Sequence, residues 1–261
     1  MNEVNKTLFI PLYGKAFVSN RNLILKDLDA ERIWAEESFS LHGKSKSKWL
    51  AYNMAMRASV FDDWTDSMLE NNKDTLVLHV GCGLDSRYRR IKNSYKLWLD
   101  CDLPDVIAVR RKYYEETERY RMIDLDATNI SRITSLPDNR TAIVVLEGIS
   151  MYLSNEQLHE FLCALQDKYD TLHILMDVYT EFGAKASKYK NPVNDVGVTK
   201  LYGIDDIEGL ISDLRIYLKG EHSFTPKKMV DELHGFDKKF FKLMFAGYIY
   251  GKIYRLYELF S

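Results

Sequence analysis

Two glycines, an aspartate about twenty residues beyond them, a further aspartate and a glutamate close four successive apolar runs, a spacing suited to holding a nucleoside-bearing ligand. The stretch L-H-V-G-C-G-L-D-S-R, Leu78 to Arg87, ends one run in Gly81 and Gly83, which let the main chain turn sharply and come close to a ligand. A glycine turn that holds no ligand has the same appearance. Ser86 stands where a dinucleotide fingerprint would have its third glycine, which weakens an NAD reading. The next run ends W-L-D-C-D, and Asp102 is placed to accept from ribose hydroxyls such as those of NAD, FAD or S-adenosylmethionine, or else to cap a helix starting near Pro104. The third run ends I-D-L-D. Its Asp124 could accept from an adenine amino group, with Leu125 giving backbone and apolar contact, or both acids could be solvated loop residues. The fourth ends L-E-G, placing Glu147 at the sheet centre, where a carboxylate needs a partner.

Arg57 is a cation in an apolar stripe made by Leu50, Met54, Phe61, Trp64 and Met68 at alternating steps of four and three. Buried arginine needs an anion, either a protein carboxylate or an anionic ligand, and the residues alone favour the protein pair. His79, His159 and His173 read as core or surface residues rather than catalytic ones. No Ser-His-Asp or metal constellation is visible, so the sequence assigns no catalytic residue and no metal.

These positions are held by five short apolar runs that read as buried strands: Thr75–Val80, Lys96–Cys101, Tyr120–Ile123, Thr141–Leu146 and Leu172–Val178. Helical patterns lie between them. In S-N-E-Q-L-H-E-F-L-C-A-L-Q, Ser154 and Gln157 form a capping box ahead of a stripe of Leu158, Phe161, Leu162 and Leu165. The alternation predicts an α/β fold, a doubly wound, mostly parallel sheet. A polar stretch to Tyr202, a stripe of Ile207, Leu210, Ile211 and Leu214, and two β-like runs, Leu214–Leu218 and Tyr248–Leu256, complete the chain. Residues 1–70 read as a helical extension able to roof a site, and residues 71–261 as the α/β core.

The 261 residues, 46% of them hydrophobic, suffice for one sizeable core. A formal charge of −2 supplies no electrostatic footprint for nucleic acid. Neither a leader pattern nor an apolar run near membrane-spanning length is present, which predicts a cytoplasmic protein without a membrane partner. Cys82, Cys101 and Cys163 lack C-x-x-C spacing and read as small core residues.

Five segments, in order, carry a family resemblance: M-A-M-R-A-S-V-F-D-D, V-G-C-G-L-D-S-R-Y-R-R-I, W-L-D-C-D-L-P-D-V-I-A-V-R-R-K, R-M-I-D-L-D-A-T and V-L-E-G-I-S-M-Y-L. Together they resemble the leucine carboxyl methyltransferase family, in particular its bacterial branch of O-methyltransferases of polyketide biosynthesis, over roughly residues 10 to 215. The resemblance implies a seven-stranded class I methyltransferase sheet, an N-terminal helical lid, and S-adenosylmethionine converted to S-adenosylhomocysteine. It implies that Arg57 holds the cofactor carboxylate, that Gly81 and Gly83 lie beneath its methionyl part and that Asp102 takes the ribose. It further implies that Asp124 and Leu125 contact the adenine and that Glu147 lines the methionyl end. Asp85 and Arg87 belong to its signature, supporting the loop and the lid. Cys82 departs from a small residue such as alanine, and the region from Thr180 to Tyr202 matches nothing that would name an acceptor. The expected reaction is methylation of a carboxylate or hydroxyl of a small molecule, ahead of a protein C-terminal carboxylate. An NAD-dependent oxidoreductase and a non-catalytic S-adenosylmethionine-binding module are the rival readings.

Overall fold

A computed structural model describes residues 7–37, 39–190 and 200–261. Three helices, α1 (Phe9–Ser19), α2 (Leu28–Glu36) and α3 (Lys48–Glu70), precede the first strand. The strands are β1 (Leu76–Val80), β2 (Leu97–Asp102), β3 (Tyr120–Asp124), β4 (Thr141–Leu146), β5 (Thr171–Tyr179), β6 (Tyr217–His222) and β7 (Tyr254–Phe260). Between them run α4 (Arg87–Arg90), α5 (Pro104–Arg110), α6 (Asn155–Lys168), α7 (Glu181–Lys190), α8 (Ile207–Leu210), α9 (Lys227–Val230), α10 (Gly235–Phe245) and α11 (Tyr248–Gly251).

The sheet order is β3-β2-β1-β4-β5-β7-β6. Strands β1 to β5 pair in parallel, while β7 is antiparallel to both β5 and β6. Because β1 sits between β2 and β4, the chain builds outward to one side and then returns to build the other. The crevice left at that reversal lies at the carboxyl ends of the strands, where such sheets bind ligands. The doubly wound expectation holds.

Side-chain alternation divides the core in two. Val77, Trp98, Ile143 and Leu175 join Leu12, Ala16, Ile33, Met56 and Phe61 from the first three helices. On the other face, Leu76, Leu78, Leu99 and Ile174 join Leu158, Phe161, Leu162 and Leu165 of α6. The N-terminal helices are therefore the covering layer of one sheet face. Helix α6 starts at the expected capping box: Gln157 N donates to Ser154 Oγ at 3.2 Å, and Ser154 N donates to Gln157 Oε1 at 2.9 Å. No described helix is long and apolar enough to cross a membrane.

Three boundaries near the C-terminus differ from the sequence reading. The run Leu214–Leu218 enters the sheet only at Tyr217, because Leu214 N is spent on Ile211 O and Arg215 N donates to Gln166 Oε1 at 2.8 Å. The run Tyr248–Leu256 begins as the helical turn α11, whose bonds Tyr250 N to Gly247 O and Ile253 N to Tyr250 O delay the ladder to Tyr254. The stripe from Ile207 to Leu214 is helical only through Leu210. Residues 191–199 of the unmatched Thr180–Tyr202 region lie outside the described residues.

Candidate active site

The carboxyl ends of β1 to β4 open into a cavity of about 780 Å³, a size suited to a small-molecule ligand. Gly81 turns with φ +71°, and a Cβ there would stand 2.9 Å from the Cβ of Ile149, so both backbone and space exclude a side chain. Its amide donates to Cys101 O at 2.8 Å, which pins the loop to the end of β2. Gly83 N donates to Asp102 Oδ2 and Leu103 N to Asp102 Oδ1, both at 2.8 Å. Asp102 therefore holds the glycine loop and does not cap α5, whose N-cap residue is Leu103 and has no side-chain cap bond. Asp102 accepts bonds only from backbone N–H groups and makes no ion pair among the described residues, and burial outweighs those bonds and the nearby charge of Arg110, pushing it up to about 6.

Leu125 also lines the cavity. Its amide is spent on Asp102 O at 2.9 Å, so the buried side chain is its main offering. Asp124 ends β3 but is not among the lining residues; its Oδ1 lies 3.8 Å from Arg111 Nη1 and its side chain is partly exposed.

Glu147 and Arg57 both line the cavity and bind each other. Arg57 Nε donates to Glu147 Oε1 at 2.9 Å, and its Nη1 donates to Asp177 Oδ2 at 3.1 Å and to the Tyr254 hydroxyl at 3.0 Å. Its Nη2 points toward Gly148, 3.2 Å from where a Cβ would stand. The other oxygen of Glu147 accepts from Arg87 Nη2, and Arg87 Nε donates to Asp62 Oδ1 at 2.6 Å. Burial works against the Glu147 charge, but Arg87 and Arg57 overcome it and hold the carboxyl at about 2. The protein partner required at Glu147 is thus two arginines, and Arg57 pairs with protein carboxylates, as its residue type favoured, while also lining the cavity.

The signature acid and cation of the glycine loop continue this network. Asp85 Oδ2 is 2.8 Å from Lys15 Nζ on α1, and its Oδ1 is 2.8 Å from Arg90 Nη2. The glycine loop is thereby tied to the first helix, with Lys15 only 2% exposed. Asp100, the other acid of β2, is bound by Arg110, His79 and Trp98 and is fully buried. His79 lines the cavity, yet Nδ1 donates to Asp100 and Nε2 accepts from Arg87 Nη1, both at 3.0 Å. Burial lowers its pKa, so both ring nitrogens are occupied in the neutral form. His159 faces Asp213 at the surface, and His173 is absent from the cavity.

Residue-type reasoning missed Lys15, Asn53, Asp62, Asp177 and Tyr254. Lys15 in F-I-P-L-Y-G-K-A-F-V and Asp177 in L-M-D-V-Y carry the same signal that exposed Arg57 and Glu147, a charge inside an apolar run. Tyr254 gave no such signal, because tyrosine suits a strand without further cause.

The cavity's lining combines two kinds of chemistry. One is bare loop and carboxylate, from Gly81 through Asp102 to Leu125. The other is apolar and aromatic, with Pro11, Trp49, Leu50, Met54, Tyr152 and Phe245. The polar half fits a nucleoside-bearing cofactor: Gly81 and Gly83 leave the loop without side chains at two positions, and the Asp102 carboxylate is bound only by backbone amides.

This sheet order, with its reversed last hairpin, is the class I S-adenosylmethionine-dependent methyltransferase fold. Magnesium protoporphyrin IX methyltransferase from Synechocystis has the same fold. Its structure with bound S-adenosylhomocysteine superposes with a TM-score of 0.52 at 11% identity over 89% of this chain and 93% of that one. Its structure with bound S-adenosylmethionine gives 0.52 at 10% over 95% and 97%. Residues 2–166 match the family model of leucine carboxyl methyltransferase. The chain is 30% identical over 212 residues to the tetracenomycin polyketide synthesis O-methyltransferase TcmP of Streptomyces glaucescens, covering 80% of this chain and 78% of that protein. It is 34% identical over 170 residues to the S-adenosyl-L-methionine-dependent methyltransferase dpfgK of Gibberella zeae, covering 59% and 57%. The chain belongs to the leucine carboxyl methyltransferase family.

Proposed function

We propose that this methyltransferase methylates a carboxylate or hydroxyl oxygen of a small molecule held in the apolar half of the cavity. The observation that carries the reading is a cavity lining that joins polar groups at the strand ends to apolar and aromatic side chains, among them Pro11 of α1 and Trp49, Leu50 and Met54 of α3. The name of the relative TcmP, an O-methyltransferase of polyketide synthesis, supports an oxygen acceptor.

S-adenosylmethionine, when bound, supplies a methyl group already activated on a sulfonium. The task of the chain is placement. Asp102 accepts from the ribose hydroxyls, the Gly81–Gly83 loop lies under the methionyl part, and the Nη2 of Arg57 faces the methionyl carboxylate while Glu147 and Asp177 hold its other edge. Leu125 packs on the adenine, and Asp124 reaches the adenine amino group by turning from Arg111. Residues 1–70 serve as the lid, with Lys15 fastening α1 to the glycine loop. A carboxylate acceptor arrives ionised and needs no base, which agrees with a cavity histidine whose nitrogens are both occupied.

Calorimetry with S-adenosylmethionine, S-adenosylhomocysteine and NAD tests the cofactor assignment. The first two should bind and NAD should not, and Arg57→Ala should weaken S-adenosylhomocysteine by about 2 kcal/mol or more. Unchanged affinity in that variant would leave Arg57 a purely structural ion-pair residue.

A further inference from the structure

Asn53 lies one helical turn before Arg57 on α3, on the same face, and lines the cavity while only 2% exposed. Its Oδ1 accepts from the Tyr250 hydroxyl at 2.8 Å. Its Nδ2 makes no hydrogen bond with any described residue. A buried amide donor without a partner costs stability, and leucine or methionine would fill similar space without that cost. The Tyr250 phenol, whose ionisation is pushed up by burial, donates to the amide oxygen, and the amide nitrogen is left without a partner among the described residues.

We propose that Asn53 binds the methyl acceptor, its Nδ2 donating to the acceptor oxygen that does not react. That oxygen is the second oxygen of a carboxylate, or a carbonyl oxygen beside a reacting hydroxyl. The inference rests on the methyl-transfer reading above. In the step, an electron pair of the attacking oxygen forms the new bond to the methyl carbon as the carbon–sulfur bond breaks. That bonding pair goes to sulfur, leaving a thioether and an ester or ether, with the hydroxyl proton released to solvent when a hydroxyl reacts. A neutral donor is suited to this position. A lysine or arginine would hold the anion more tightly, but would stand near a sulfonium of like charge and draw electron density from the nucleophile.

The test uses 3-hydroxy-2-naphthoate, which carries a carboxylate and a hydroxyl on a flat apolar frame, and its amide, 3-hydroxy-2-naphthamide. Each is titrated by fluorescence into the S-adenosylhomocysteine complexes of wild type, Asn53→Asp and Asn53→Ala, with S-adenosylhomocysteine affinity measured separately by calorimetry. The cofactor product should bind all three proteins within about threefold. The acid should bind about tenfold more weakly to Asn53→Ala and about a hundredfold more weakly to Asn53→Asp, where two carboxylates meet. Asn53→Asp should in turn prefer the amide, which can donate to it. Equal affinity of the acid for wild type and both variants would overturn the proposal, as would a wild-type complex that does not bind the acid. Should Asn53→Asp fail to fold by circular dichroism, Asn53→Ala alone decides. Failure of S-adenosylhomocysteine to bind wild type would instead bring down the cofactor reading, and this inference with it.

Discussion

Glu147 and Asp102 are both carboxylates at strand ends of one sheet, both face one cavity, and their chemistry runs in opposite directions. Glu147 ends β4 between two arginines and is held at about 2. Asp102 ends β2 among backbone amides and is raised by burial to about 6. The difference separates support from recognition. Each oxygen of either carboxylate accepts one bond, but both of Glu147's come from guanidinium groups, and its removal strips counter-charge from two buried arginines. Asp102 is bonded only by neutral backbone amides, so its charge is uncompensated and a ligand with hydroxyl donors can stabilise it.

The largest expected effect lies on the Glu147 side. Glu147→Gln should lower unfolding free energy by about 3–5 kcal/mol near neutral pH, the usual cost of breaking a buried ion pair from one side. Chemical denaturation of both proteins measures it. Because the pKa of Glu147 is lowered by folding, its contribution is complete above the ordinary value of 4.5 and is lost as pH falls toward 2, so the gap between the proteins should close on acidification. A variant as stable as wild type would erase the distinction drawn here.

Asp102→Asn should do the reverse. S-adenosylhomocysteine affinity should fall by about 2 kcal/mol as the charged acceptor is lost. Stability at pH 8 should stay within about 1 kcal/mol of wild type or rise, since folding raises this pKa and the ionised form is the disfavoured one there. Calorimetry and denaturation on the same preparation would show the two responses.

Gly81→Ala sharpens the comparison at the loop that Asp102 holds. A side chain at φ +71° and 2.9 Å from Ile149 should cost about 1–3 kcal/mol in thermal unfolding, with weaker cofactor binding alongside. The smallest effect belongs to Asp124→Asn. Its carboxylate lies beside Arg111 and off the cavity, so S-adenosylhomocysteine affinity should change by less than about 1 kcal/mol unless the side chain turns inward on binding.

The sheet and its strand-end residues were legible because each strand is a short apolar run whose polar residues sit at the end, so Gly81, Asp102, Leu125 and Glu147 could be placed on the cavity before the fold was known. Arg57 was legible by type, as a cation out of keeping with its stripe, though not its three partners. Those partners come from the end of β4, from β5 and from β7, and contacts across such distances in sequence leave no local period. The late strands were blurred for a local reason. Tyr248–Leu256 and Leu214–Leu218 have β-like composition throughout, while turn bonds and Gln166 decide where each ladder starts. Asn53 was invisible, because an asparagine in a helix has many ordinary roles and only its missing hydrogen bond sets it apart.

The central claim, that a strand-end carboxylate without a cationic partner in the fold receives the cofactor's ribose, is tested most directly by S-adenosylhomocysteine affinity as a function of pH. Ribose hydroxyls favour the ionised carboxylate. With Asp102 at about 6, wild-type affinity should rise about tenfold from pH 5 to pH 7, and the rise should be absent in Asp102→Asn. A flat wild-type profile together with an Asp102→Asn variant that binds as tightly as wild type would contradict the account.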